Sequence, residues 1–268
     1  MKLQDTCLFY IVVYHNIVKI ISWNVNSVRV RLHLLKELIE NEIPDVILLQ
    51  ETKCVNDQFP KEFFENYGYN VFCSGQKTYN GVAIISKFSV EDICENEISE
   101  EKRYLEGLIN GNIWVASVYI PCGAKSEESY QDKLKFFDKL SKLCQERLKK
   151  KEKIILGGDF NVALTDQDVR YVERWQNSVL CRKDVREKMY NLINIDSENC
   201  LNVASSNVCD NGKNAYTWWD YRRPDDGLRI DYFLYQGVSV EQFQTLKQYR
   251  TKLRPSDHVP IAITIKNS

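Results

Sequence analysis

Short apolar runs and amphipathic stretches alternate along the whole chain. Runs of strand length occupy positions 19–22, 46–49, 82–85, 113–120, 154–156, 230–234 and 261–265. Helical patterns lie between them. Leu34, Leu35, Leu38 and Ile39 define one face of a helix that ends near Pro44, and Leu134, Phe137, Leu140, Cys144 and Leu148 mark a longer one starting near Glu127. Strand and helix in alternation predict α/β layering, and Pro44-Asp45 stops the chain before the next strand. Positions 113–119 place Ile113, Val115, Ser117 and Tyr119 on one face and Trp114, Ala116 and Val118 on the other. Both faces are largely apolar, which predicts a strand inside a sandwich.

With 268 residues and 44% apolar content, the chain can bury a sizeable core. No Pro/Gly/Ser-rich stretch marks a linker, so a single domain is expected over 19–268, with 1–18 an extension of unassigned status. Residues 7–14 of that extension are nearly all apolar, too few to span a bilayer and without a signal-peptide cleavage site. An extra strand, or a start codon assigned too early, accounts for them better. A net charge of −1 offers no overall attraction to a polyanion, so binding one falls to local Lys and Arg clusters. Nine cysteines, an odd number without C-x-x-C spacing, read as scattered reduced thiols in a cytoplasmic protein.

The polar residues add chemistry because of where they fall. Clusters at the ends of the apolar runs (Ser22-Trp23-Asn24, Gln50-Glu51, Tyr119-Ile120-Pro121, Gly158-Asp159-Phe160-Asn161, Arg229-Ile230-Asp231, Ser256-Asp257-His258) can meet at one sheet edge. Glu51 terminates a buried strand, where a lone charge is avoided unless it is paired, for example with Lys53, or bound to metal. Asn24 and Asn26 end the first strand as turn formers or as amide ligands for a hard cation. Gly157 and Gly158 permit a tight turn, after which Asp159 and Asn161 face the same way. Such a pair can activate a water and orient a phosphate oxygen, or merely close an Asx turn. Asp257 and His258 share a loop, and Asp231 is the candidate to fix the imidazole tautomer.

Tyr216-Thr217-Trp218-Trp219-Asp220-Tyr221-Arg222-Arg223 is an aromatic run closed by arginines. Its rings can stack beside bases or an abasic gap and its arginines can hold phosphates, although at least one of Trp218 and Trp219 belongs in the core. Arg170, Arg174, Arg182, Lys183 and Arg186 form a second basic segment, suited to phosphate contacts or to an ordinary solvated helix.

Segments 21–29 (ISWNVNSVR), 49–53 (LQETK), 158–161 (GDFN), 227–232 (GLRIDY) and 255–258 (PSDH) together resemble exonuclease III, the bacterial AP endonuclease family, in order from about Lys19 to Ile265. The resemblance implies an α/β fold, a four-layer sandwich of two mixed β-sheets flanked by helices. It implies Mg2+, with Mn2+ as substitute, and a monomer acting on double-stranded DNA with abasic sites or blocked 3′ ends, without a membrane. The implied reaction is hydrolysis of the phosphodiester 5′ to an abasic site, accompanied by 3′→5′ exonuclease and 3′-phosphatase activity.

Family roles carry over as catalytic residues Tyr119, Asp159, Asn161, Asp231 and His258; as a metal site of Asn24, Glu51, Asp159, Asn161, Asp257 and His258; and as DNA contacts Asn26, Arg103, Trp218, Arg222 and Leu228. One position departs from the family: Cys122 stands where an amide side chain usually follows Tyr-x-Pro. Two other readings share much of the pattern, a phosphatase or sphingomyelinase of the same superfamily and a non-catalytic regulator on the same fold.

Overall fold

The computed structural model describes residues 17–95, 98–196, 199–205 and 216–266. The apolar run at 7–14 lies outside them, while Ile17 and Val18 already belong to the first strand. One six-stranded sheet contains β1 (Ile17–Asn24), β2 (Val46–Gln50), β3 (Asn70–Ser74), β4 (Val82–Ser86), β13 (Ser239–Thr245) and β14 (Ile261–Lys266), in the order β13-β14-β1-β2-β4-β3. The other contains β5 (Val90–Glu95), β6 (Tyr104–Ile109), β7 (Ile113–Tyr119), β8 (Lys153–Asp159), β9 (Asn202–Val203) and β12 (Asp231–Gln236), in the order β5-β6-β7-β8-β12-β9. Both are mixed: β1 runs parallel to β2 and β7 parallel to β8, and the remaining pairs are antiparallel. A two-stranded ribbon, β10 (Trp218–Trp219) with β11 (Gly227–Leu228), stands apart.

Three apolar clusters define the layers. Between the sheets, Ile20, Val46, Leu48 and Ile84 meet Leu105, Val115, Ile155 and Phe233. Outside the first sheet, Leu34, Leu35, Leu38 and Ile39 of the helix Leu32–Glu42 cover Ile21, Trp23, Ile47 and Leu49. Outside the second, Phe137, Leu140 and Cys144 of the helix Glu127–Lys149, with Val185 and Met189 of the helix Lys183–Ile193, cover Trp114, Ala116, Val118 and Leu156. The result is the four-layer α/β sandwich. Alternation in β7 explains its position: Ile113 and Val115 face the other sheet, and Trp114, Ala116 and Val118 face the helices.

Helix ends follow local chemistry. The Ser126 hydroxyl accepts a hydrogen bond from the Ser129 amide and the Ser129 hydroxyl accepts one from the Ser126 amide, a reciprocal cap, with Glu127 and Glu128 at the positive end of the dipole. The helix Leu32–Glu42 stops at Ile43, in left-handed conformation (φ 47°) just before Pro44.

The turn expected at Gly157-Gly158 is absent, because both glycines lie inside β8. A Cβ on Gly158 would fall 1.8 Å from the Val118 carbonyl oxygen, and one on Gly157 2.5 Å from the Phe233 ring. The glycines let the neighbouring strands β7 and β12 pack close, and Leu48 of the opposite sheet comes within 2.8 Å of an added Gly157 Cβ; they do not bend the chain. The basic segment separates into two short helices, Val172–Trp175 and Lys183–Ile193.

Candidate active site

Strand register assembles the site. Tyr119 of β7 and Asp231 of β12 both pair with Asp159, the last residue of β8, so one sheet presents three functional groups side by side. The other sheet supplies Asn24 at the end of β1, opposite Gln50, and Glu51 one residue beyond β2. His258 arrives on the loop before β14, held by an isolated bridge to Trp218 and by its carbonyl, which accepts from Trp23 Nε1 at 3.0 Å.

Ligand-capable atoms of Glu51, Asp159 and His258 lie within 4.8 Å of one another. Around them the hydrogen bonds are dense. Asn24 Nδ2 donates to Glu51 Oε1 (2.9 Å) and to Asp159 Oδ2 (3.0 Å), tying a carboxylate of one sheet to a carboxylate of the other. Asp159 Oδ1 accepts from the Asn161 amide (2.9 Å), and Asn161 Nδ2 reaches Ile120 O (2.9 Å) and Asp159 Oδ2 (3.3 Å). The Asx turn is thus real and coexists with the expected Asp159–Asn161 pairing. Asn161 adopts φ 49°, a conformation asparagine tolerates better than most residues. Glu51, at φ 52°, accepts from Lys53 Nζ at 2.8 Å, and the Tyr119 phenol lies beside its carboxylate.

The electrostatics divide these groups. Burial pushes the Asp159 carboxyl well above the usual range; Asp231 adds to the shift and His258 opposes it. Burial pulls the His258 imidazole the other way, but Asp231 and Asp159 outweigh it and hold the ring protonated above its ordinary value. Glu51, despite burial, is kept low by Lys53 and Asn24 and stays ionised. Asp257 is likewise low in spite of burial, through His258, Asn26 and Trp218. The Tyr119 phenol is driven up, first by burial and then by Glu51 and Asp159, so it remains a donor.

The residues expected at the metal site are engaged in different ways. His258 Nδ1 meets Asp231 Oδ2 at 2.8 Å and Nε2 faces Asp159 Oδ2 at 3.6 Å. Asp231 occupies Nδ1, so Nε2 is the ring atom that faces the Glu51 and Asp159 carboxylates, free to meet a cation when neutral or to donate when protonated. Asn24 turns its nitrogen to the carboxylates while its oxygen accepts from the Asn26 amide at 3.1 Å, so it braces the cluster from within. Asp257 lies outside the trio, its oxygens held by Asn26 Nδ2 (2.9 Å) and Trp218 Nε1 (3.1 Å). Oxygen donors from Glu51 and Asp159, one of them firmly ionised, suit a hard divalent cation.

Asn26 is engaged inside the site by Lys53 and Asp257. Arg103 lies over the Tyr119 ring, 4.6 Å from its centroid, and its NH1 is buried without a partner. Both line the rim of the site, and beside them a cleft of about 750 Å³ is bounded by Glu51, Lys53, Arg103, Tyr119, Cys122 and Lys125. Trp218 is half-buried, edge-on to Trp175 at 5.5 Å, and Arg222 is exposed at the turn beyond the ribbon. Leu228 was expected to touch DNA, but it is fully buried behind Trp218, packed with Ala163, Val169, Leu180 and Ile230. It therefore offers no surface of its own.

Trp175, Asp226 and Lys133 of this region were not singled out by sequence, and Arg174 was named only within the basic segment. Trp175 and Arg174 both bond to the fully buried Asp226, each at 2.7 Å, anchoring the aromatic wall. Lys133, fully buried in the helix Glu127–Lys149, donates to carbonyls of the two loops that follow β7 and β8. Helical periodicity could have flagged Lys133, one turn before Phe137 on the buried face.

Comparison with known proteins agrees with this geometry. The chain is similar to exodeoxyribonuclease III of Haemophilus influenzae, 31% identical over 268 residues, covering 91% of this chain and 98% of that protein. It is similar in structure to an AP endonuclease from Archaeoglobus fulgidus (30% identity, TM-score 0.84, covering 94% and 100% of the two chains). The same holds for the 3′ phosphatase NExo from Neisseria bound to a product DNA hairpin (30% identity, TM-score 0.83, covering 92% and 98%). Residues 21–258 match the Endonuclease/Exonuclease/phosphatase family. Because that match runs from β1 of one sheet through the whole of the other to the loop that delivers His258, the chain belongs to the Endonuclease/Exonuclease/phosphatase family.

Proposed function

We propose that this protein is a magnesium-dependent DNA repair nuclease that hydrolyses the phosphodiester 5′ to abasic sites and also trims or dephosphorylates 3′ ends. The observation that carries the reading is the meeting of Glu51, Asp159 and His258, with Asp231 behind the imidazole, at one edge of the paired sheets. Relatives named for exodeoxyribonuclease, AP endonuclease and 3′-phosphatase activity support it.

Asp159, its proton affinity raised by burial, is placed to take a proton from the attacking water near neutral pH. Asn161 and Asn24 fix that carboxylate from either side. His258, kept protonated and oriented by Asp231, donates to a phosphoryl oxygen as negative charge grows there. The Tyr119 hydroxyl stands beside Glu51 and borders the same space, and Arg103 backs its ring. Glu51 with Asp159 would hold the cation, which when bound supplies neutralisation of the phosphate and of the leaving oxygen. Trp218, with Arg222 and Arg103 on the flanks, offers the aromatic and cationic surface for an extrahelical abasic sugar and its phosphates.

The test is a fluorescent duplex with one tetrahydrofuran abasic analogue, incubated with Mg2+ or with EDTA. Incision 5′ to the analogue only with the cation is expected, leaving a 3′-hydroxyl. An uncut duplex, or phosphate release from inositol polyphosphates instead, overturns the reading.

A further inference from the structure

Lys133 is fully buried, yet among the described residues no carboxylate lies within ion-pair distance of it. Burial pulls its ammonium down to about 8, the Cys122 and Asp159 side opposing that shift, so the group is still largely charged at neutral pH. An ammonium in such a place is costly, and a methyl-tipped side chain of similar length would suit the helix face better. What the ammonium does that a methyl cannot is bond to three carbonyls from three separate segments. Nζ reaches Asn161 O at 2.6 Å, Cys122 O at 3.1 Å and Val179 O at 3.5 Å.

Two of these segments carry the catalytic groups. Asn161 follows β8 and Asp159; Cys122 follows β7 and Tyr119. On the site side the two loops are already joined, by Asn161 Nδ2 to Ile120 O and by the Ile120 amide to Asp159 O, each at 2.9 Å. Lys133 joins them again from the helix side. Its hold on the Asn161 carbonyl keeps that residue in its left-handed conformation, and in that conformation the Asn161 amide and side chain both reach Asp159. The chain passes over the Lys133 stem at Gly123 (φ 78°), where an added Cβ would stand 3.0 Å from Lys133 Cδ.

We propose that Lys133 is a positioning residue for the hydrolysis: a tripod of carbonyl bonds that sets Asn161, and through it Asp159, against Tyr119. The inference rests on the nuclease reading above. Without the ammonium, Asn161 relaxes toward ordinary backbone angles, its two bonds to Asp159 lengthen, and the base is misaligned while the DNA-facing surface is untouched.

Full-length wild type, Lys133→Met and Lys133→Arg are compared on the abasic-analogue duplex with Mg2+, well below each protein's melting midpoint. Lys133→Met is expected to lose about 10- to 100-fold in kcat, the scale of a small misplacement of reacting groups, with KM within about threefold of wild type. Lys133→Arg, which keeps charge and donors, is expected to recover at least about tenfold of that loss. A folded Lys133→Met with kcat within about threefold of wild type overturns the inference, as does a change confined to KM, or an arginine variant no better than methionine. If Lys133→Met does not fold, Lys133→Gln, whose amide keeps two N–H donors but no charge, is judged by the same limits. Inactive wild type counts against the nuclease reading; active wild type with unaffected variants counts against the tripod alone.

Discussion

Asp231 on one sheet holds His258, delivered by the other, through a bond of 2.8 Å to Nδ1, leaving Nε2 turned to Asp159. The imidazole is therefore fixed in orientation and in protonation state by a neighbour of Asp159 on the same sheet. Replacing Asp231 by Asn keeps the shape but loses the charge. Abasic-site incision is expected to slow by about 100-fold or more, with DNA affinity in EDTA unchanged in a fluorescence-anisotropy titration. Equal turnover of wild type and Asp231→Asn would falsify that role.

The same pair makes a pH prediction. Asp231 and Asp159 raise His258 above its ordinary value of 6.5 in the folded protein. The stability contributed by the protonated ring is then complete below the unfolded value and disappears as pH rises through the raised one. In EDTA, ring-proton NMR is expected to find His258 protonated at about pH 7.5, with Asp231→Asn bringing its titration back toward the unperturbed range. A wild-type ring already neutral at that pH contradicts the assignment.

Glu51 is the ionised oxygen donor of the cluster, held low by Lys53 and Asn24. Glu51→Gln should weaken Mn2+ binding in isothermal titration by about tenfold or more, because the site loses its firmest negative charge. Lys53 Nζ, left on an amide and on Asn26 Oδ1, should keep the loop in place, so thermal stability in EDTA is expected to move little. A large drop in melting temperature with undiminished Mn2+ affinity would reverse both statements.

Trp218 and Leu228 face each other in the ribbon but are expected to fail differently. Trp218→Ala should weaken preference for abasic over intact duplex while 3′-phosphate removal persists, since the half-buried ring lies at the surface. Leu228→Ala should cost about 2–4 kcal/mol in urea unfolding, the range for emptying a buried leucine site. Intact lesion preference in Trp218→Ala, or an unchanged urea midpoint in Leu228→Ala, shows the roles misassigned.

Gly158→Ala places a methyl where the Val118 carbonyl already stands. Strands β7 and β8 must part to admit it, so soluble expression or the melting temperature is expected to fall sharply, and activity with it because Asp159 is the next residue. A variant with wild-type melting behaviour would mean the strands yield more easily than their register implies.

Much of this arrangement was legible in the chain because the polar residues sit at the ends of apolar runs. Period-two alternation placed β7 between two layers, and β1, β2, β4, β8, β12 and β14 were found because their runs are almost wholly apolar. The strands β3, β5 and β13 were missed at sheet edges, where exposed or polar positions erase the pattern, and the buried β6 was missed because Glu106-Gly107 interrupts its apolar run. Gly157-Gly158 was misread because glycine marks both turns and close strand approach, and only packing separates the two. Lys133 was passed over for its identity: a lysine reads as solvent-facing, although its place one turn before Phe137 set it on the buried face, and its three carbonyl partners lie in remote segments.

Asn24, Glu51 and His258 ride on one sheet, and Tyr119, Asp159 and Asp231 on the other. Asn24 and Asp231 are the stitches across that seam. Turnover is thus a gauge of how the two halves are seated. A slip of a fraction of an ångström between them, with every strand still hydrogen-bonded, pulls the stitches before it melts anything. Mild heat or denaturant should extinguish incision while far-ultraviolet circular dichroism still records an intact protein.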